Sequence, residues 1–186
     1  ANSPEEHNLR MTRLVEKDNA DAICRLADDY KDGTNGNTQS WAKARELWQR
    51  AGELGNARAY YNLGIFYNDM AIGMERDEKK AKHYFELSAM MGSLDARYNL
   101  ANSEARAGNY HRASKHYAIA ARAGDKDALE RVKELFLDGY ITKDGYEIAL
   151  RAYQSRQYEM KSDMRDKAAR FKAALQRGVP VRTALA

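Results

Sequence analysis

The sequence predicts an all-α fold, a right-handed superhelical solenoid of antiparallel helix hairpins that ends in one long helix. Three observations predict it. A pattern of small, aliphatic and aromatic residues returns at an interval of 37 residues. Within each unit the apolar positions recur at helical spacing, as in AGELGNARAYYNLGIFY at residues 51–67. The two prolines, Pro4 and Pro180, stand near the ends, so no proline breaks a helix between them.

The first element is an N-terminal capping helix within residues 1–18. Ser3, Pro4 and Glu6 read as the N-cap, first helical residue and third residue of a capping box, and Leu9, Leu14 and Val15 supply the apolar side. A repeat array of about four hairpins follows over residues 19–153. NADAICRLADDY at residues 19–30 aligns with NARAYYNLGIFY at residues 56–67 and with SLDARYNLANSEA from Ser93, each 37 residues after the last. The second halves repeat with them: Lys43, Ala44, Trp48, Ala51 and Gly55, then Lys80, Ala81, Phe85, Ser88 and Gly92, then Arg112, Ala113, Tyr117, Ala120 and Gly124. A fourth first half, DKDALERVKELFLDG from Asp125, comes 32 residues after the third because the loop at residues 107–109 is shorter. Tyr146, Ala149 and Tyr153 complete that unit, and the short loop is expected to alter the local superhelical angle.

Each unit reads as two helices. Gly64 and its equivalents Ala27 and Ala101 keep one face of the first helix thin, so that a neighbouring helix approaches closely. Gly55, Gly92 and Gly124 follow the second helices, where a left-handed closing residue costs least in glycine. Trp48, Phe85, Tyr117 and Tyr153 then fall in the core of the second helices and form no base-stacking platform. Beyond the array we expect a basic C-terminal helix at residues 154–178 and a flexible tail at residues 179–186. Both ends act as polar caps.

These units resemble Sel1-like repeats, helical-hairpin relatives of the tetratricopeptide repeat. The shared pattern is A-x-x-x-L-G/A-x-x-Y in the first helix, a loop that often holds glycine, then K-A-x-x-x-W/Y/F-x-x-A and a closing glycine. The resemblance covers most of the chain, about residues 19–153. Gly52 stands where the second residue of an Ala-Ala pair is usual, Ala27 replaces the glycine after leucine, and the third loop is truncated. WAKARELWQRAGELGNARAYYNLG, ERDEKKAKHYFELSAMMG and TKDGYEIALRAYQSRQYEMKSDMRDKAA are further similar to an algal branch in which such repeats often follow a RING-type zinc module. The resemblance implies a non-enzymatic protein-protein interaction scaffold or adaptor that helps assemble a multiprotein complex. The substrate-recognition part of a ubiquitin-ligase or protein quality-control assembly is an alternative.

No run of about 18 apolar residues occurs, so no membrane insertion is expected. The single Cys24 cannot close a disulfide within the chain and points to an intracellular reducing compartment, cytoplasmic or organellar, with a small buried or idle thiol. The chain opens on Ala1 without Met, so sequence upstream is expected, and it carries neither a signal-peptide apolar core nor an Arg-rich transit segment. None of His7, His83, His111 and His116 shares a face with a second histidine and an acid at metal-ligand spacing. HExxH, CxxC, a Ser-His-Asp order and a P-loop are also missing, so we expect no catalytic residue, metal, cofactor or small-molecule substrate. The oxygen-rich DGTNGNTQS at residues 32–40 lacks the alternation of a calcium loop and has Lys43 where a bidentate glutamate belongs, so it reads as a plain inter-helix loop.

If the first helices line the concave side, the inward positions are Asp21, Cys24, Asp28, Lys31 and Asp32 in the first unit and Arg58, Tyr61, Ile65, Asn68 and Asp69 in the second. Asp95, Tyr98, Asn102, Ala105 and Arg106 follow in the third, and Asp127, Glu130, Glu134, Leu137 and Asp138 in the fourth. Nine acids face three bases there. Either this is a solvated charged face, or it is an acidic groove centred on Tyr61, Ile65 and Tyr98 that suits a basic or mixed peptide of a protein partner. On the second reading the groove residues are Asp21, Asp28, Arg58, Tyr61, Ile65, Asp69, Asp95, Tyr98, Asn102 and Arg106.

The basic excess lies elsewhere. Residues 140–186 hold 10 Lys and Arg against 5 Asp and Glu, which leaves 21 against 22 for the rest of the chain. Lys161, Arg165, Lys167, Arg170 and Lys172 form the candidate basic surface, expected to shield or cap the array or to project as a docking arm. Nucleic-acid binding through this helix, with a steep salt dependence, is a further alternative. Glu159, Asp163 and Asp166 interrupt the basic stripe and weigh against it.

Overall fold

The computed structural model describes residues 4–69 and 76–176, with side chains over residues 9–69 and 76–168. The described residues form helices without strands: α1 (Pro4–Val15), α2 (Ala20–Asp32), α3 (Trp41–Glu53), α4 (Ala57–Asn68), α5 (Glu78–Met90), α6 (Leu94–Arg106), α7 (Tyr110–Arg122), α8 (Lys126–Leu137) and α9 (Lys143–Gln176). The Ser3 capping box and the tail at residues 179–186 lie outside the described residues. Two compact units divide the chain, residues 1–116 and 117–186.

The residue that opens each repeat is a helix cap. Asn19, Asn56, Ser93 and Asp125 precede α2, α4, α6 and α8, and their side chains accept the backbone N–H of Ala22, Ala59, Ala96 and Ala128. These bonds satisfy amides that the first turn of a helix leaves without a partner. At the other end of each hairpin Gly55, Gly92 and Gly124 adopt φ of 98°, 95° and 101°, the left-handed turn that starts the next repeat.

In the first unit one core joins Ile23, Cys24 and Ala27 of α2 to Ala44, Trp48 and Ala51 of α3 and to Ala59, Leu63 and Phe66 of α4. Met11 is buried on α1, which packs on α2. A second core sets Ala81, Phe85 and Ala89 of α5 against Ala96 and Leu100 of α6, with Tyr61 and Ile65 of α4 on its border. The thin positions are occupied as expected of small residues: Ala27 and Ala101 are fully buried, and Gly64 lies under the Phe85 ring. The loop after α2 closes on itself, since Thr34 Oγ1 and Asn35 Nδ2 both donate to Asp29 Oδ1, at 3.0 and 2.8 Å, and Gln39 Nε2 donates to Lys31 O.

In the second unit α8 and α9 form a hairpin, with Phe136 and Tyr146 stacked at 5.3 Å and Val132, Leu135 and Ala149 buried. Thr142 Oγ1 accepts the Gly145 N–H at the start of α9. From there α9 runs unbroken through residue 154, and Arg156 and Met160 stand over Gly124 in the turn before α8.

Candidate functional site

The predicted groove residues fall on α2, α4 and α6 of the first unit, and α2 is tied to α4 by two of its acids. Asp28 Oδ1 accepts from Trp48 Nε1 at 3.1 Å and Asn62 Nδ2 at 3.0 Å, while Oδ2 pairs with Arg58. Asp21 Oδ1 accepts from Asn56 Nδ2 at 2.7 Å. Two predicted acids and one predicted base therefore hold neighbouring first helices together.

Cys24 does not face the groove, contrary to its expected inward position. It is 1% exposed and belongs to the core. The reason is size and cover: Cys24 holds the repeat position of Tyr61 and Tyr98, but its short side chain stops in the core and Arg58 reaches over it to Asp28. Burial pushes the thiol above its ordinary value of 9.0, with Arg58 pulling the other way, so the thiolate is scarce at neutral pH.

Tyr61 is half-buried, its ring 6.0 Å from Phe85. Burial raises its phenol above 10.0, and the carboxylate of Asp95 on α6 adds to the rise. Tyr98 and Asn102 are half-buried on α6, while Asp95 is exposed. Ile65 and Asp69 meet Lys31, Trp41, Trp48, Asn62 and Phe66 around a cleft of about 230 Å³ between α2, α3 and α4. Arg106 is placed apart from these, in a cleft of about 290 Å³ between α5 and α6 with Lys82, Glu104 and Asn109.

In the second unit Glu130 and Glu134 pair with Lys133 and Arg131 along α8 itself. Lys161, Arg165 and Lys167 are exposed on α9, whereas the side chains of Arg170 and Lys172 lie outside the described residues. Among the described residues no group of three His, Cys, Asp or Glu is placed to hold a metal ion, and no helix is long and apolar enough to cross a membrane.

The Sel1 repeat matches residues 20–56, 57–93 and 94–125, three consecutive hairpin-length segments. The chain belongs to the Sel1 repeat family. A Sel1 repeat protein from Oxalobacter formigenes matches with a TM-score of 0.66 at 22% identity, over 86% of this chain and 64% of that one. A protective antigen of uropathogenic Escherichia coli with an SLR fold matches with a TM-score of 0.67 at 22% identity, over 95% of this chain and 38% of that one. The chain thus spans less than two thirds of either structure. Among curated proteins, none matches its sequence. The fold class is an all-α repeat solenoid, and repeats of this family generally mediate protein–protein interaction in proteins that are typically non-catalytic.

Two departures from the Sel1 pattern gain a physical reason from the structure. Gly52 leaves room for the Tyr60 ring, which would collide with a Cβ there. Glu104 occupies the position of Tyr30 and Tyr67, is 4% exposed, and accepts from Lys82 Nζ at 2.6 Å and Asn109 Nδ2 at 2.8 Å. The lining of the groove cleft by Trp41 and Asn62 was not legible as function. The one available signal was that Asn62 recurs as Asn99, 37 residues later.

Proposed function

We propose that this Sel1 array is a non-enzymatic adaptor that holds a peptide segment of a protein partner along α2, α4 and α6. The observation that supports it is the cleft of about 230 Å³, where Trp41, Trp48, Ile65 and Phe66 supply apolar walls and Lys31, Asn62 and Asp69 a polar rim. Apolar walls with a few placed polar groups suit one aromatic or aliphatic anchor of a bound peptide, and such anchors carry most of the affinity at protein interfaces. A mixed peptide fits better than a uniformly basic one. Asp21 and Asp28 are already tied to α4, and Lys31 stands at the rim. The same groove would serve as the substrate-recognition part of a ubiquitin-ligase or quality-control assembly in company with a RING-type module.

Selection of peptides on the purified chain, followed by titration of the best binder, tests this reading. Ile65→Glu should weaken binding by about tenfold or more while the helix content stays constant. Equal affinity for wild type and variant would place the binding surface elsewhere.

A further inference from the structure

Two clefts of the first unit are the same place in consecutive repeats. One, of about 490 Å³, is lined by Ala42, Lys43, Arg45, Glu46 and Gln49 of α3 with Tyr67 of α4. In the other, of about 290 Å³, Lys79, Lys82 and Glu104 stand at the positions 37 residues after Ala42, Arg45 and Tyr67. Each lies between the second helix of one repeat and the end of the next first helix.

The chain supplies a carboxylate of its own to the wall of the second cleft, since Glu104 lies buried on Lys82 and Asn109. In the first cleft Tyr67 takes the place of that glutamate and turns towards the following helix. Its ring stacks on Tyr84 at 5.6 Å with 8° between the planes, and Lys80 Nζ lies 5.2 Å from its centre. Tyr67 thereby delivers no carboxylate to Arg45, the counterpart of Lys82, and Glu46, the one acid of this lining, pairs with neither Arg45 nor Lys43 among the described residues. Arg45 is exposed and forms no ion pair among the described residues. Lys43, with its ammonium 4.9 Å over the Tyr30 ring, brings a second cation to the same cleft. Both stand in the first two turns of α3.

We propose that this cleft docks the side-chain carboxylate of an acidic segment in a protein partner, seated on Arg45 and Lys43 as Glu104 is seated on Lys82 in the next repeat. A lone exposed ion pair binds weakly, and a cleft of about 490 Å³ holds more than one side chain, so a Glu- or Asp-rich segment fits it better than a free carboxylate. The surface shares no lining residue with the groove between α2 and α4, so the two sites succeed or fail separately.

Fluorescence polarisation of a labelled Glu-Gly repeat peptide, with the Gln-Gly peptide as control, tests the assignment. The full chain should bind the first peptide and not the second, and added salt should weaken the complex. Arg45→Gln should lower affinity about three- to tenfold, and Arg45→Lys should keep most of it. Tyr67→Glu should abolish capture by supplying the carboxylate in the chain, whereas Ile65→Glu in the groove should leave it unchanged. Equal binding of both peptides, or full affinity in a folded Arg45→Gln protein, overturns the site. Competition by glutarate at the concentration of the peptide overturns the protein partner.

Discussion

Phe85 of α5 lies directly over Gly64 of α4, so that a Cβ on Gly64 would stand 2.5 Å from ring carbon Cδ1. The two residues come from the same hairpin and set how closely its helices approach. Gly64→Leu should therefore overpack the hairpin and cost about 1–3 kcal/mol, with Gly64→Ala losing less because one ring has only to shift. Thermal unfolding measures the loss. An unchanged melting temperature for Gly64→Leu would mean that the two helices do not meet there.

Glu104 should make the first unit sensitive to acid. Its hydrogen bonds from Lys82 and Asn109 hold its carboxyl below the ordinary 4.5 despite burial. A carboxyl depressed in the folded state contributes stability that is complete above about pH 4.5 and lost as pH falls through the folded value. Glu104→Gln should flatten that part of the stability profile. Glu104→Ala at neutral pH should cost about 1–2 kcal/mol, less than a fully buried pair, because Lys82 can regain water. Denaturant titrations across the acid range compare them, and parallel profiles for wild type and Glu104→Gln would contradict the assignment.

The hairpins were legible because their caps, small residues and closing glycines recur in register, and each of these acts within one or two turns of its own helix. Glu104 was legible only as a missing tyrosine. Its compensation is divided between Lys82 in another helix and Asn109 at the end of the following loop, so no helical spacing announces it. Gly52 likewise reads as a departure until the Tyr60 ring is seen on it. The groove was partly legible for a related reason. Helical phase assigns Cys24, Tyr61 and Tyr98 one position, but whether that position reaches solvent depends on side-chain length and on what the next first helix lays across it.

Arg58 is the cover over Cys24, and thiol labelling reports on it. In the folded chain Cys24 should react slowly with a maleimide, since it is 1% exposed and its thiol is raised by burial. Arg58→Ala removes both the lid and the one charged partner of Asp28 among the described residues, so labelling should accelerate severalfold and stability should fall by about 1–2 kcal/mol. The loss of Arg58 also removes a charge that favours the thiolate, which works against faster labelling. Acceleration in spite of that shows that cover governs the rate, whereas an unchanged rate would show that Arg58 does not shield the thiol.

The basic stretch of α9 separates into a packed part and an exposed part. Met160 Cε and Arg156 Cγ come within 3.4 and 3.5 Å of where a Cβ on Gly124 would stand, while Lys161, Arg165 and Lys167 are exposed. Met160→Ala should therefore destabilise the second unit by about 1 kcal/mol, short of a fully buried methionine because Met160 is only half-covered. Replacing Lys161, Arg165 and Lys167 together by Gln should change stability by no more than about 0.5 kcal/mol, as surface substitutions do. The triple variant also decides whether these cations shield the groove. Shielding by exposed charges is loose and salt-sensitive, so it requires the groove-selected peptide to bind the variant more tightly at low salt and equally at high salt. Equal affinity at both salt concentrations, together with the stability loss in Met160→Ala, would make α9 a cap on its own unit and nothing more.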